Sequence, residues 1–208
     1  MKKTNNAPII IAAVALVLIG LAWNEMGAML KSKDTARAAD PDALPGMRTS
    51  RPPWEPELAR LLDRLHIIGF PALPDPGTAL RLRQHLDIYV NGESVVIPAG
   101  IGVHTAAGFM APVHTRDTSG VIHIASDRIR DFNLGELFDV WGVRFDGRCI
   151  GSYCADKEHS LFVYVNGNPV MGDPRKALLE ANQEIVIVYG ESAKAPPIPT
   201  DYSFGPDI

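Results

Sequence analysis

The chain has 208 residues, an apolar fraction of 46% and a formal net charge of −4. That is enough for one domain with extensions and for a sizeable core. A negative balance with no dense Lys/Arg stripe excludes nucleic acid as the partner class.

Lys2 and Lys3 precede an uncharged apolar run from Ala7 to Trp23. As a helix this run would span roughly 25 Å at about 1.5 Å per residue, the short end of the transmembrane range. Trp23 falls where an interfacial aromatic belongs, and the lysines favour a cytoplasmic N-terminus. The expectation is a single-pass signal anchor, residues 7–23, after a cytoplasmic stretch, 1–6. The rest would then lie outside the cytoplasm, at the cell membrane. The alternative is a cleaved signal peptide with secretion, because Ala36–Arg37–Ala38 has a small-x-small pattern.

Residues 24–54 are polar and small and read as a linker. Residues 55–79 read as an amphipathic helix and a Pro-rich connector. Leu58, Leu61, Leu62 and Leu65 have helical spacing, with Arg60 and Arg64 assigned to the opposite side. A folded domain is expected over 80–190, with a flexible or surface-laid tail over 191–208.

The domain opens with LDIYV-NG-ESVVIP. Asn91-Gly92 between two β-runs predicts a hairpin, because a type I′ turn needs positive φ at both central positions. VIHIAS (121–126) reads as a strand. FNLGELFDVWGV reads as a short helix with Leu134, Leu137, Phe138 and Trp141 on one face and Gly142 ending it. Asn166-Gly167 predicts a second hairpin. Pro174 after Asp173 starts a helical turn. EIVIVYG is a continuous β-forming run and reads as a central strand buried on both faces. The expected fold class is α+β: an N-terminal transmembrane helix, then a β-grasp-like domain with two Asn-Gly hairpins around a short helix.

Few residues could carry chemistry. Cys149 and Cys154 flank Gly151 in a short loop and suggest a disulfide; metal ligation and redox cycling remain open. The spacing is not Cys-x-x-Cys, so a thioredoxin-like site is not supported. PVHTRDTSGVIHIAS holds His114, Asp117 and His123, with His104 ten residues before His114. Imidazole and carboxylate suit zinc or copper. The competing reading has Asp117 capping the turn before Ser119-Gly120 and His114 bonded within its loop. No Gly-x-Ser-x-Gly elbow, phosphate loop or His-Glu-x-x-His occurs.

HTRDTSGVIHIAS, FNLGELFDVWGV, CIGSYC, YVNGNPV and EIVIVYG, in that order, resemble a family of small membrane-anchored or secreted bacterial and archaeal proteins with no assigned activity. The resemblance covers roughly residues 86–190. The family motif tends to read His-Thr-His-Asp; this chain has Arg116 at the second histidine. Arginine stays protonated and does not ligate metal in the ordinary way. The resemblance therefore carries over only His114, Asp117 and His123.

The expected function is a binding or interaction domain outside the cytoplasm, not an enzyme, with a protein partner and the membrane reached through the N-terminal helix. Its recognition surface would be the loops at 104–119 and 149–154. The alternatives are a copper- or zinc-binding protein using the His/Asp loop, with His104 or His159 as further ligands, and a thiol-dependent redox enzyme. The sequence requires no cofactor.

Overall fold

The computed structural model describes residues 43–191 and 196–205. They form a mostly-sheet structure with two α-helices, α1 (Leu61–Ile68) and α2 (Leu134–Trp141). The strands are β1 (Leu80–Val90), β2 (Glu93–Val95), β3 (Val103–His104), β4 (Phe109–Met110), β5 (Val113–Thr115) and β6 (Val121–Ser126). They continue with β7 (Cys149–Ile150), β8 (Tyr153–Cys154), β9 (Ser160–Val165), β10 (Asn168–Pro169) and β11 (Glu184–Gly190).

The main sheet runs β10-β9-β11-β1-β6-β5, with β2 also on β1. Its centre is the parallel pair β1 and β11, in which His85 sits opposite Glu184 and Val90 opposite Tyr189. Every residue of β11 is buried. This is why EIVIVYG lacks alternation: a strand with partners on both edges and cover on both faces has no solvent side to mark.

Successive residues of a strand face opposite sides. Leu86, Ile88, Ile122, Ile124, Ile185 and Ile187 share the core face. They join Leu61, Leu65, Leu137, Phe138 and Trp141 from the helices in one apolar cluster. Fully burying an aromatic such as Phe138 contributes about 2–3 kcal/mol. The helix α2 forms where the sequence signals it. Asn133 accepts from the Glu136 N–H, Glu136 reaches back to the Asn133 N–H, and Gly142 ends the helix at φ 78°.

Three expectations are corrected. First, among the described residues no helix is long and apolar enough to cross a membrane. The run Ala7–Trp23 and residues 24–42 lie outside the described residues. Anchoring through that helix, and the placement of the domain at the membrane or outside the cell, are therefore withdrawn.

Second, the β-grasp-like plan of two full hairpins around a helix is replaced by a larger, mostly-sheet arrangement. Both Asn-Gly reversals form, with φ of 53° and 84° at Asn91 and Gly92 and 51° and 76° at Asn166 and Gly167. Their return strands are stubs, however: β2 has three residues and β10 two. β2 stops at Val95, and beyond Pro169 a single further bond, from the Val170 N–H to the Val163 carbonyl at 2.8 Å, ends the second ladder. The long neighbour of β1 is β6, which pairs with residues 80–85, while β2 takes only 88–90 of the same edge.

Third, the amphipathic helix is shorter and turned. The helix begins only at Leu61, and Pro56 disfavours helical backbone at Glu55. Positions 61, 64, 65 and 68 form the inward stripe, so Arg64 is fully buried while Leu62 is 55% exposed.

Arg64 is held because it ends another helix. Its Nε donates to the Asp139 carbonyl at 2.8 Å and its Nη2 to Val140 at 3.0 Å. These carbonyls lie in the last turn of α2, where no intrahelical donor reaches them. Nη1 also donates to the Pro45 carbonyl at 3.0 Å and to the Glu57 carboxylate. Replacing Arg64 with methionine keeps much of the volume but leaves these acceptors and the Glu57 charge unpaired. Arg64→Met should lose about 3–5 kcal/mol of stability, read from urea unfolding; a variant as stable as the parent would refute this docking role.

Candidate functional site

The face of the sheet opposite the core carries a polar row. Arg83, His85, Asp87 and Tyr89 alternate with the core residues of β1. The register brings Glu184, Val186 and Val188 beside His85, Asp87 and Tyr89. On the other edge, Arg83 lies opposite His123, and His123 opposite His114.

His85 and Glu184 are 6% and 1% exposed. His85 Nδ1 lies 2.8 Å from Glu184 Oε2, and Nε2 lies 2.8 Å from the Ser119 carbonyl. A carbonyl only accepts, so Nε2 carries a proton there. A neutral ring can donate once. The second contact therefore needs an imidazolium or a protonated Glu184. Burial opposes charging of His85, but the hydrogen bond and charge of Glu184, with the charge of Asp87, outweigh it and raise its pKa. The Tyr89 phenol is pushed up by burial first and then by the same two carboxylates. The patch is locally negative.

Asp87 completes the group: ligand atoms of His85, Asp87 and Glu184 lie within 4.8 Å of one another. The second carboxylate oxygen of Glu184, Oε1, is buried with no hydrogen-bond partner. The surroundings hold the imidazole firmly. Tyr202 stacks on it with centroids 3.8 Å apart and planes 8° from parallel. Gly120, at φ 83°, leaves room for the ring, since a Cβ there would sit 2.8 Å from Nε2.

The loop singled out in the sequence has a positioning role. Asp117 accepts from the Ser119 N–H at 2.9 Å and from its hydroxyl. This turn presents the Ser119 carbonyl to His85.

The expected ligand set does not converge. His114 and His123 stack across β5 and β6 with centroids 5.7 Å apart. Asp117 is engaged with Ser119. His104 is elsewhere, tilted on Phe109 at 5.3 Å, with Nδ1 accepting from the Ala107 N–H at 3.3 Å. His114 is 1% exposed and its ring nitrogens make no well-formed hydrogen bond, although the Ala111 and Pro112 backbone lies close enough to oppose part of the fall in its pKa. Burial, then the charges of His123 and Arg116, push its pKa down to about 4. His123 is lowered by burial and by Arg116, with Asp117 opposing and Arg83 adding to the fall. A cation between these histidines would face two arginines.

Cys149 and Cys154 are joined as a disulfide and sit directly opposite in the β7–β8 hairpin. No cysteine is free, so neither sulfur is a thiolate in this state.

His85, Asp87 and Glu184 escaped the sequence reading. A weak signal was present: His85 and Asp87 are two apart in a strand and so share a face. Glu184 is 99 residues from His85, and only the strand pairing joins them.

His114 yields a pH prediction. Its folded pKa lies below the ordinary value, so its stabilisation is present above about pH 6.5 and is lost as pH falls toward 4. From pH 7 to 5 this site should remove about 2 kcal/mol of stability. Urea unfolding of the parent and of His114→Leu checks it: the variant should lose less, and equal losses would contradict the assignment. No protein-family model, curated protein or solved structure matches the chain.

Proposed function

We propose that the protein is a metal-binding module that takes a divalent cation of the zinc class at His85, Asp87 and Glu184. The observation that carries this reading is the Glu184 carboxylate: its Oε1 is buried with no hydrogen-bond partner, and the residue forms a group of three possible ligands with His85 and Asp87. Leaving such an atom unsatisfied costs about 1–3 kcal/mol or more. A cation bonded to it removes that cost.

The surroundings support the same reading. A metal-ligating histidine ordinarily donates its second N–H to a carbonyl or carboxylate, which fixes the tautomer. His85 Nε2 already does this with Ser119. Its Nδ1 then faces the Glu184 carboxylate, with Asp87 in the same group, and binding would replace the Nδ1 proton by the metal. One imidazole and two carboxylates leave a fourth tetrahedral position for water. This oxygen-rich set suits Zn²⁺ or Mn²⁺ better than Cu⁺, which prefers thiolates and thioethers. The expected His/Asp chemistry is retained, on different residues.

Calorimetry with zinc chloride on chelator-treated full-length protein tests the reading. One zinc should bind per chain and raise the melting temperature. Glu184→Gln, Asp87→Asn and His85→Gln should each weaken binding at least about tenfold, while His123→Gln leaves it unchanged. Circular dichroism establishes that each variant is folded. Absence of binding by the folded parent, or loss of binding in His123→Gln alone, would refute the assignment.

A further inference from the structure

The parts of the chain around His85, Asp87 and Glu184 differ in how firmly they are held. β1 and β11 are central strands joined by a parallel ladder. The Asp117 turn is tied to the sheet, where the Leu86 N–H donates to the Gly120 carbonyl at 3.0 Å. The remaining neighbour is the C-terminal segment, residues 196–205. It contains no strand, so no ladder joins it to the sheet.

This segment crosses the outer face of the sheet at the level of the metal group. Thr200 lies against Gly167, where an added Cβ would come within 2.6 Å of the Thr200 methyl. Gly167 follows Asn166, which is bonded to Glu184 in both directions. The Asn166 N–H donates to the Glu184 carbonyl at 2.8 Å, and its side-chain oxygen accepts the Glu184 N–H at 2.9 Å. Further along, Tyr202 stacks on the His85 imidazole. The Arg83 guanidinium then lies over the Phe204 ring and donates to the Gly205 carbonyl at 2.9 Å. The path therefore runs from the end of β9 past Glu184 to His85 and Arg83 on β1.

The composition of the segment suits repeated docking. Pro196, Pro197 and Pro199 have no N–H for a ladder and keep the chain extended before it docks. A chain already extended loses less freedom on docking. The rings of Tyr202 and Phe204 and the Gly205 carbonyl hold it in place. A segment held in this way opens far more readily than a central strand.

Tyr202 does not contest the ligand position. It lies on the flat face of the imidazole, with planes 8° apart, whereas a metal would bond Nδ1 in the plane of the ring. The segment can therefore close over the group with or without a cation. With the segment in place, His85 and Glu184 are buried. A cation reaches them most readily by displacing the one neighbour that no ladder holds.

We propose that residues 196–205 are a strap that gates the His85–Asp87–Glu184 group, opening to admit or release the cation and closing over it. The gate rests on the metal reading above. It sets the rate of exchange and leaves the affinity nearly unchanged.

Stopped-flow uptake of zinc by chelator-treated full-length protein, and its release to a chromophoric chelator, test the gate. Tyr202→Ala should speed both by about tenfold, the scale of a lost ring stack, and so hold their ratio. Phe204→Ala loosens the strap away from His85 and should act in the same direction. Tyr202→Phe keeps the ring and should match the parent. A second readout needs no metal: broadening of the His85 ring protons by a neutral, soluble gadolinium chelate. It should rise in Tyr202→Ala and stay at the parent's value in Tyr202→Phe. Circular dichroism establishes that each variant is folded. Zinc uptake by the parent with unchanged rates in Tyr202→Ala, or with faster uptake and no faster release, would overturn the gate and leave the metal reading standing. Equal gadolinium broadening in the parent and Tyr202→Ala would overturn the strap as the cover of His85. No zinc uptake by the parent would overturn the metal reading and the gate with it, and the gadolinium result then shows separately whether the strap covers His85.

Discussion

The pairing of β1 with β11 is the interaction on which the rest depends. It joins segments about a hundred residues apart in sequence and supplies the centre of the sheet. Its register places Leu86 with Ile185 and Ile88 with Ile187 on the core face. The same register places His85 with Glu184 on the other face. A slip of one residue would carry every side chain of β11 to the wrong side. Core and candidate metal site are therefore specified together: the apolar residues cannot be in place without the polar ones meeting.

Local electrostatics decide which histidines can hold a cation. His85 lies against two carboxylates, has a raised pKa and keeps an orphaned carboxylate oxygen beside it. His114 is equally buried but has Arg116 and a second histidine as its charged neighbours, and its pKa falls to about 4. The C-terminal segment adds to the first site. Tyr202 covers His85, Arg83 donates to the Gly205 carbonyl at 2.9 Å, and its guanidinium lies 4.9 Å from the Phe204 ring centre. Thr200 sits against Gly167, where a Cβ would come within 2.6 Å of its methyl.

Features set by a few neighbouring residues were legible in the sequence. Both Asn-Gly turns, the capped helix Leu134–Trp141, the Cys149–Cys154 bridge and the burial of EIVIVYG follow from short-range rules. The Asp117 turn was legible too, but as local geometry, not as the support for a distant histidine. What could not be read depends on long-range contact. Arg64 looked like a solvated charge until α2 offered it two unpaired carbonyls. The return strands after the turns looked longer than they are, because propensity does not report which strand takes the free edge of β1. Sequence spacing also favoured the histidines nearest one another, His114 and His123, over a ligand group split between two strands.

The central claim is the position of the cation. The most direct measurement is an anomalous difference map at the zinc edge from crystals of the protein grown with zinc. The structure predicts one strong peak at bonding distance, about 2.0–2.2 Å, from His85 Nδ1 and from carboxylate oxygens of Asp87 and Glu184. A peak between His114 and His123, or no peak at the His85 group in zinc-saturated crystals, would contradict it.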